Sequence, residues 1–206
     1  AIEIKPRFPN YYSNLGSIMK DLGQLDEAEK FARQAIKIKP DFAEAHYNLA
    51  NILRDLEKLS EAVISYRKAI ELKPNFSEAY SNLGNILRDL GHLSESEISL
   101  RRAIEIKPNF AEAYSNLGSI LSYLGQFSEA EILLRRAIKF KPNFARAYVI
   151  LGHTLNDLNR TSEAFDSYLK VIEINPSCSN IYPSLTRFLQ DSDLSQLNKA
   201  KLKKTL

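Results

Sequence analysis

Asn14, Asn48, Asn82 and Asn116 follow one another at intervals of 34 residues in a chain of 206. The chemistry such a row offers is hydrogen bonding. A carboxamide has both donors and an acceptor, so it can satisfy a peptide group whatever side chain that peptide carries. Asn is also a poor helix former, so four in one helical column require a reason. Two reasons stand open. The amides grip the backbone of an extended polypeptide, or they bond adjacent helices of the protein itself. Their surroundings are polar in phase. Ser81, Asn82, Asn85, Arg88 and Asp89 form one set; Tyr47, Asn48, Asn51, Arg54 and Asp55 form the set one period earlier. Amides, hydroxyls and paired charges of both signs make this face a polar groove. Asn14, Asn48, Asn51, Asn82, Asn85, Asn116, Arg54 and Arg88 are the candidate peptide-contacting residues. Ile150 and Ser184 interrupt the Asn column, so the groove is expected to weaken toward the C-terminus.

Other reactive side chains form no constellation. His46, His92 and His153 fall in three different columns of the period, without Cys or acidic partners at metal-ligand spacing. His46 replaces the Tyr of Tyr12, Tyr80, Tyr114 and Tyr148, so it reads as a packing residue. Cys178 takes the place of a junction Phe, and a single cysteine excludes an internal disulfide. Glu95 and Glu129 read as outer-face carboxylates, where solvation is the default. There is no glycine-rich phosphate loop, nucleophile elbow or Ser/His/Asp set. No catalytic residue, metal or cofactor is expected, and the chain reads as a non-enzyme.

The elements that must position these amides are legible from the same period. Prolines recur at 6, 40, 74, 108, 142 and 176, and Leu15, Leu49, Leu83, Leu117, Leu151 and Leu185 keep step. A fixed period of this length means one supersecondary unit copied in tandem. In the copy from Asn75 to Pro108, Asn75 with Glu78 and Ser94 with Glu97 read as capping boxes that start two helices. Gly91 falls at the inter-helix turn, in the left-handed conformation that glycine adopts cheaply; Glu57 and Asn159 are exceptions in its column. Pro108 stops the second helix. Helices are predicted at 10–22, 27–38, 44–56, 61–72, 78–90, 95–106, 112–124, 129–140, 146–158, 163–174 and 180–190, with no strand.

Small residues follow the same register. Gly16, Gly84, Gly118 and Gly152 lie inside first helices, where Gly costs roughly 1 kcal/mol against Ala. A close helix–helix approach is the expected offset. Ala28, Ala62, Ala130 and Ala164 form a second small column; Ser96 replaces Ala there, and its own helix's preceding carbonyls are the nearest partners. Phe8, Phe42, Phe76, Phe110 and Phe144 are expected to pack between one hairpin and the next. The fold class is therefore all-α, an α-solenoid of antiparallel helical hairpins.

The repeats are expected at 9–42, 43–76, 77–110, 111–144 and 145–177. Residues 1–8 read as the end of a truncated preceding repeat, because the first six residues match Ala103 to Pro108 closely. The chain is thus expected to be a piece of a longer protein. Residues 178–206 read as degenerate C-terminal capping helices, with Lys199, Lys201, Lys203 and Lys204 near a helix end. The net charge of +3, with both signs interspersed, argues against a nucleic-acid surface. No run approaches the ~18 apolar residues of a membrane span. The cysteine usage favours a reducing compartment, and a cytoplasmic location is expected.

The string Ala-Tyr-Ser-Asn-Leu-Gly at 79–84 and 113–118, followed by Gly, Ala, Ala and Pro at fixed offsets, resembles the tetratricopeptide repeat over roughly residues 6–177. That resemblance implies a right-handed superhelix whose first helices line the concave face. The pentatricopeptide repeat, an RNA binder, has a period one residue longer, and the invariant step argues against it. The Asn column is similar to the asparagine ladder in the repeat region of protein O-GlcNAc transferases, where such asparagines grip an extended polypeptide. Similar repeats precede transferase domains in bacterial, notably cyanobacterial, proteins. The resemblance implies a non-catalytic protein–protein interaction scaffold that binds an extended polypeptide in the concave groove. The alternative is a substrate-targeting arm of a larger enzyme such as a glycosyltransferase. Partners are expected to be proteins or peptides, with weak self-association through the solenoid ends, and neither nucleic acid nor membrane. Ser13, Tyr47, Ser81, Ser115 and Val149 stand where the family's carboxylate clamp has its first Lys, so chaperone tails are not expected ligands.

Overall fold

The computed structural model describes residues 8–176. The predicted helix at 180–190, the cap at 178–206 with its lysines, Cys178 and the opening residues 1–7 lie outside them. Among the described residues there are ten helices and no strand. They are α1 (Pro9–Asp21), α2 (Leu25–Ile38), α3 (Ala43–Asp55), α4 (Leu59–Leu72), α5 (Ser77–Asp89), α6 (Leu93–Ile106), α7 (Ala111–Tyr123), α8 (Phe127–Phe140), α9 (Ala145–Asp157) and α10 (Thr161–Ile174). Odd and even helices pair as hairpins, giving an all-α solenoid of helical hairpins. Two compact units meet in sequence at the junction between Pro108 and Asn109. In the first, α1 to α6 form three hairpins, and α1 also packs on α3. In the second, α7 to α10 form two, and α7 packs on α9.

Every second helix begins two residues earlier than the capping pattern predicts, and no helix has a side-chain N-cap bond. The reason lies in the turns. At the first helix's end the Gly91 N–H bonds the Arg88 carbonyl (2.9 Å) and the His92 N–H bonds that of Leu87 (2.8 Å). This is a Schellman closure. Its last residue, His92, is already the N-cap of α6, so Ser94 sits inside the helix. Between hairpins, the Phe76 N–H bonds the Lys73 carbonyl (3.1 Å), which closes a turn over Pro74 and Asn75. Pro followed by Asn suits the two central turn positions. Asn75 is therefore a turn residue, and Phe76 is the N-cap. The junction phenylalanines all hold that place; Phe76 is buried against Tyr47, while Phe8, which no described hairpin precedes, is 68% exposed.

Gly23, Gly91 and Gly125 have φ of 75°, 81° and 76°, and the two exceptions in the column, Glu57 and Asn159, are held at 60° and 58°. Asn tolerates this region; Glu pays roughly 1–2 kcal/mol for it. Glycine's extra chain entropy takes back part of that, about 0.5–1 kcal/mol. Glu57→Gly should therefore raise stability by about 0.5–1 kcal/mol in denaturant titration. A loss of stability would show that the turn is not strained.

The small columns make the hairpin contacts. Ala28, Ala62, Ser96, Ala130 and Ala164 are all fully buried. A Cβ added at Gly84 would lie 2.7 Å from Leu100 Cγ, and one at Gly152 would lie 2.3 Å from Tyr168 Cε1. Ser96 corrects the sequence expectation: its hydroxyl donates to the Gly84 carbonyl on the paired helix, not to its own. The glycine removes the Cβ that would hold the two backbones apart.

Charged pairs repeat in register along the second helices. Arg33 reaches Glu61 (2.9 Å) and Arg67 reaches Glu95 (2.6 Å) in the first unit, and Arg135 reaches Glu163 (3.0 Å) in the second. Glu95, expected to be merely solvated, is thus paired. Exposed pairs of this kind contribute little each. Glu29 and Glu131 are more enclosed: Glu29 accepts from Arg33 and Lys58, and Glu131 from Arg135 and Arg160. Burial alone would raise these carboxyls, but the flanking cations hold both below the usual 4.5. A depressed folded-state pKa stabilises the fold above the unfolded value and loses that contribution as pH falls through the folded one. The thermal midpoint should hold from neutrality down to the ordinary glutamate range and fall below it. Glu131→Gln should lessen that acid sensitivity; an unchanged pH profile would remove the pair from the account.

Candidate functional site

The amide row lies on the first helices, and in the first unit it forms a bonded chain. The Asn48 Nδ2 of α3 donates to Ser13 Oγ of α1 (2.9 Å). The Asn82 Nδ2 of α5 donates to both Tyr47 Oη (3.2 Å) and Asn51 Oδ1 (3.1 Å) of α3. Helical geometry explains this: Tyr47 and Asn51 are four residues apart and share one face. The amide nitrogens of Asn48 and Asn82 thus bond the neighbouring first helix, which is the second of the two reasons the sequence left open. Their carboxamide oxygens take no part in these bonds.

The other candidates separate. Asn14 is exposed. Asn85 is partly buried, with its Oδ1 shielded and unbonded. Arg54 donates to Asp55 through Nε (3.1 Å) and a terminal nitrogen (2.9 Å), and Arg88 holds Asp89 in the same way. Lys20 lies 3.2 Å from Asp21 and 3.8 Å from Asp55. Each cation at this end of the first helices has an acid beside it, so the face is locally neutral. In the second unit Asn116 is only 3% exposed, so the outward-pointing amide expected there is instead enclosed. Its Oδ1 and the adjacent Ser115 Oγ are buried without a hydrogen-bond partner. Thr154 of α9 donates its one proton to the Ile150 carbonyl (2.8 Å) and lies 3.1 Å from the hydroxyl of Ser122 of α7, which can donate to it, so a hydroxyl pair links the first helices where the Asn column has ended.

Sequence reading missed two contributors. Tyr66, fully buried on α4, donates its hydroxyl to Asn51 Oδ1 at 2.6 Å. Tyr168, on α10, meets His153 Nδ1 at 3.1 Å. Burial pushes the Tyr168 phenol up to about 12 and raises that of Tyr66 well above its ordinary value. Partial burial also lowers the His153 pKa, outweighing the nearby Asp157. The signal was available: both tyrosines stand in a column otherwise filled by Ala32, Leu100 and Leu134. His46 does more than pack, since its Nε2 lies 2.9 Å from the Pro40 carbonyl. Among the described residues no three of His, Cys, Asp and Glu converge on a possible metal position, and no helix is long and apolar enough to cross a membrane.

Family models for the TPR repeat match residues 17–53, 50–91 and 84–122, and models for the tetratricopeptide repeat match 111–144 and 145–178. No curated protein sequence matches the chain. Among solved structures, the MamA protein is similar at 24% identity, covering 84% of this chain and 94% of its own, with a TM-score of 0.71. YrrB, described as a TPR protein with an unusual peptide-binding site, is 23% identical, covers 90% and 95%, and has a TM-score of 0.71. PilF of Pseudomonas aeruginosa is 20% identical, covers 81% and 76%, and has a TM-score of 0.75. At these identities the likeness is one of fold.

Proposed function

The chain belongs to the tetratricopeptide repeat family, and we propose that it is a non-catalytic interaction scaffold that takes an extended polypeptide along its first-helix face. The repeats at 9–42, 43–76, 77–110, 111–144 and 145–177 are its units. Asn14, Asn48, Asn51, Asn82, Asn85, Arg54 and Arg88 are the residues assigned to the ligand, and the enclosed Asn116 is left out of that set. One observation carries this reading: Asn48 and Asn82 are braced through their nitrogens, which leaves their oxygens as fixed acceptors beside a charge-balanced surface. A fixed acceptor suits a backbone N–H irrespective of side chain. Paired Arg and Asp side chains suit a ligand without strong net charge. The peptide-binding site of YrrB lends support by fold likeness alone.

The test uses Asn14→Ala beside the double Asn48→Ala and Asn82→Ala variant, in peptide titration and thermal melting. Each lost ligand bond should weaken a bound peptide by about 0.5–1.5 kcal/mol. Asn14 is exposed and makes none of the inter-helix bonds, so its removal should lower affinity and leave the thermal midpoint unchanged. The double variant should lose both affinity and stability. Undiminished peptide affinity in both variants would reject the face as a binding device.

A further inference from the structure

Asn51 and His153 occupy the same column of the repeat, and so do Tyr66 and Tyr168. In both places a second-helix phenol reaches the first helix of its own hairpin. Tyr66 Oη lies 2.6 Å from Asn51 Oδ1, and Tyr168 Oη lies 3.1 Å from His153 Nδ1. The repeat after Asn51 supplies an internal control. There Leu100 stands in the tyrosine column and Asn85 in the Asn51 column, and Asn85 Oδ1 is buried without a hydrogen-bond partner. The tyrosine is thus associated with an acceptor that is satisfied, and its absence with one that is not.

Asn51 Oδ1 accepts twice, from Tyr66 and from Asn82 Nδ2. A carboxamide oxygen has two lone pairs, so these bonds fill it and fix which end of the amide faces inward. The Asn51 Nδ2 makes neither bond and is left as a donor. The Asn82 amide is fixed in the opposite sense, with its nitrogen engaged and its oxygen left as an acceptor. A neighbouring donor and acceptor match the C=O and N–H of an extended chain. At His153 a phenol that donates to Nδ1 leaves the proton of the neutral ring on Nε2, again a donor.

We propose that Tyr66 and Tyr168 are positioning residues for the ligand face: each ties down the acceptor atom of a first-helix side chain and so presents its N–H, Asn51 Nδ2 or His153 Nε2, to a backbone carbonyl of a bound extended polypeptide. This inference rests on the scaffold reading above. It adds a direction to it, since Asn51 and His153 give protons to the ligand while Asn48 and Asn82 accept them.

The test has a ligand-free arm and a peptide arm. In the free protein, NMR relaxation of the side-chain amides should find Asn51 more rigid than Asn85. Tyr66→Phe should loosen Asn51 and leave Asn85 unchanged. An Asn51 amide equally mobile in wild type and Tyr66→Phe overturns the positioning role. In the peptide arm, the probe is the tightest binder from an array of random-sequence peptides. Tyr66→Phe should weaken it about three- to tenfold, the span of one net hydrogen bond. Asn51→Asp keeps an acceptor for Tyr66 but displays oxygen outward, and it should weaken the probe at least as much. In an Asn51→Ala background Tyr66→Phe should have no further effect on affinity. Additive losses in that cycle would mean that Tyr66 acts on the fold generally, and would overturn the proposal. If no peptide binds the wild-type chain, the scaffold reading and the assigned ligand fall together, while the relaxation arm still decides whether the tyrosine orients the amide.

Discussion

Leu134→Ala should destabilise the second unit by about 2–5 kcal/mol, and it should reverse or abolish the penalty of Gly118→Ala. Leu134 is fully buried and packs with Leu151, Leu155 and Val171. Removing its side chain forfeits transfer energy and leaves a cavity that the two helices of the hairpin can only partly close. Gly118 lies across from it. A Cβ there would stand 2.7 Å from Leu134 Cγ, closer than real contacts come, and a tight 3.0 Å from its Cδ2. In the wild-type background Gly118→Ala should therefore cost about 1–3 kcal/mol through overpacking. With Leu134 cut back, the nearest remaining obstacle is the Ala130 carbonyl at 3.3 Å, a contact that a small shift relieves. The gain in helix propensity, about 0.8–1 kcal/mol, then has little to oppose it. Four denaturant titrations complete the cycle. Equal costs of Gly118→Ala in the two backgrounds would show that the glycine serves something other than room for Leu134.

The repeat architecture was legible because its causes are local and repeated. Left-handed turns at Gly23, Gly91 and Gly125, close crossings at the interior glycines and chain reversal at the prolines each leave a mark at a fixed offset. Even the exceptions were informative: Glu57 and Asn159 take the conformation their column demands. Failures began where one residue had two competing uses. Asn75 fits an N-cap by composition, but the turn over Pro74 claims it, and the helix starts at a phenylalanine that no capping rule favours. Ser96 has carbonyls of its own helix within reach, yet it donates across the hairpin, because the glycine opposite brings another carbonyl close.

The candidate site was half legible for a related reason. Column spacing places Asn48, Asn51 and Asn82 on first helices, but which end of each amide faces out depends on atoms from other elements. Asn51 is oriented by a tyrosine fifteen residues later and by an asparagine thirty-one residues later. Neither offset is a helical or strand period, so no pattern search along one element would find it. Burial of Asn116 is a tertiary outcome of the same kind. The charged residues were read as ligands from their column, and their acids from the neighbouring position. Only the geometry joins Arg54 to Asp55 and Arg88 to Asp89 through two bonds each.

Ala62→Leu should destabilise the first unit by about 1–3 kcal/mol, whereas Ala62→Ser should cost less than about 1 kcal/mol. Ala62 is fully buried on α4, in a core that includes Leu49, Ala50, Leu53 and Tyr66. In the neighbouring hairpins, the carbonyl of the equivalent residue lies close to the small residue of the facing helix. It is 3.1 Å from a Cβ placed at Gly16 and 3.2 Å from one at Gly84. A leucine must put three further carbons into a contact of that closeness, so side chains leave their rotamers or the helices part. Serine adds one oxygen, which the preceding turn of its own helix can accept, as the Glu61 carbonyl accepts the Ser65 hydroxyl at 3.0 Å on the same helix. The measurement is the thermal midpoint of each variant. For a chain of this size 1 kcal/mol corresponds to a shift of about 2–4 °C, so leucine should lower the midpoint by several degrees and serine by little. Equal shifts would mean that polarity rather than room decides this column. An unchanged midpoint for leucine would mean that the hairpins are not set by close contact there, and the offset assigned to the interior glycines would need another cause.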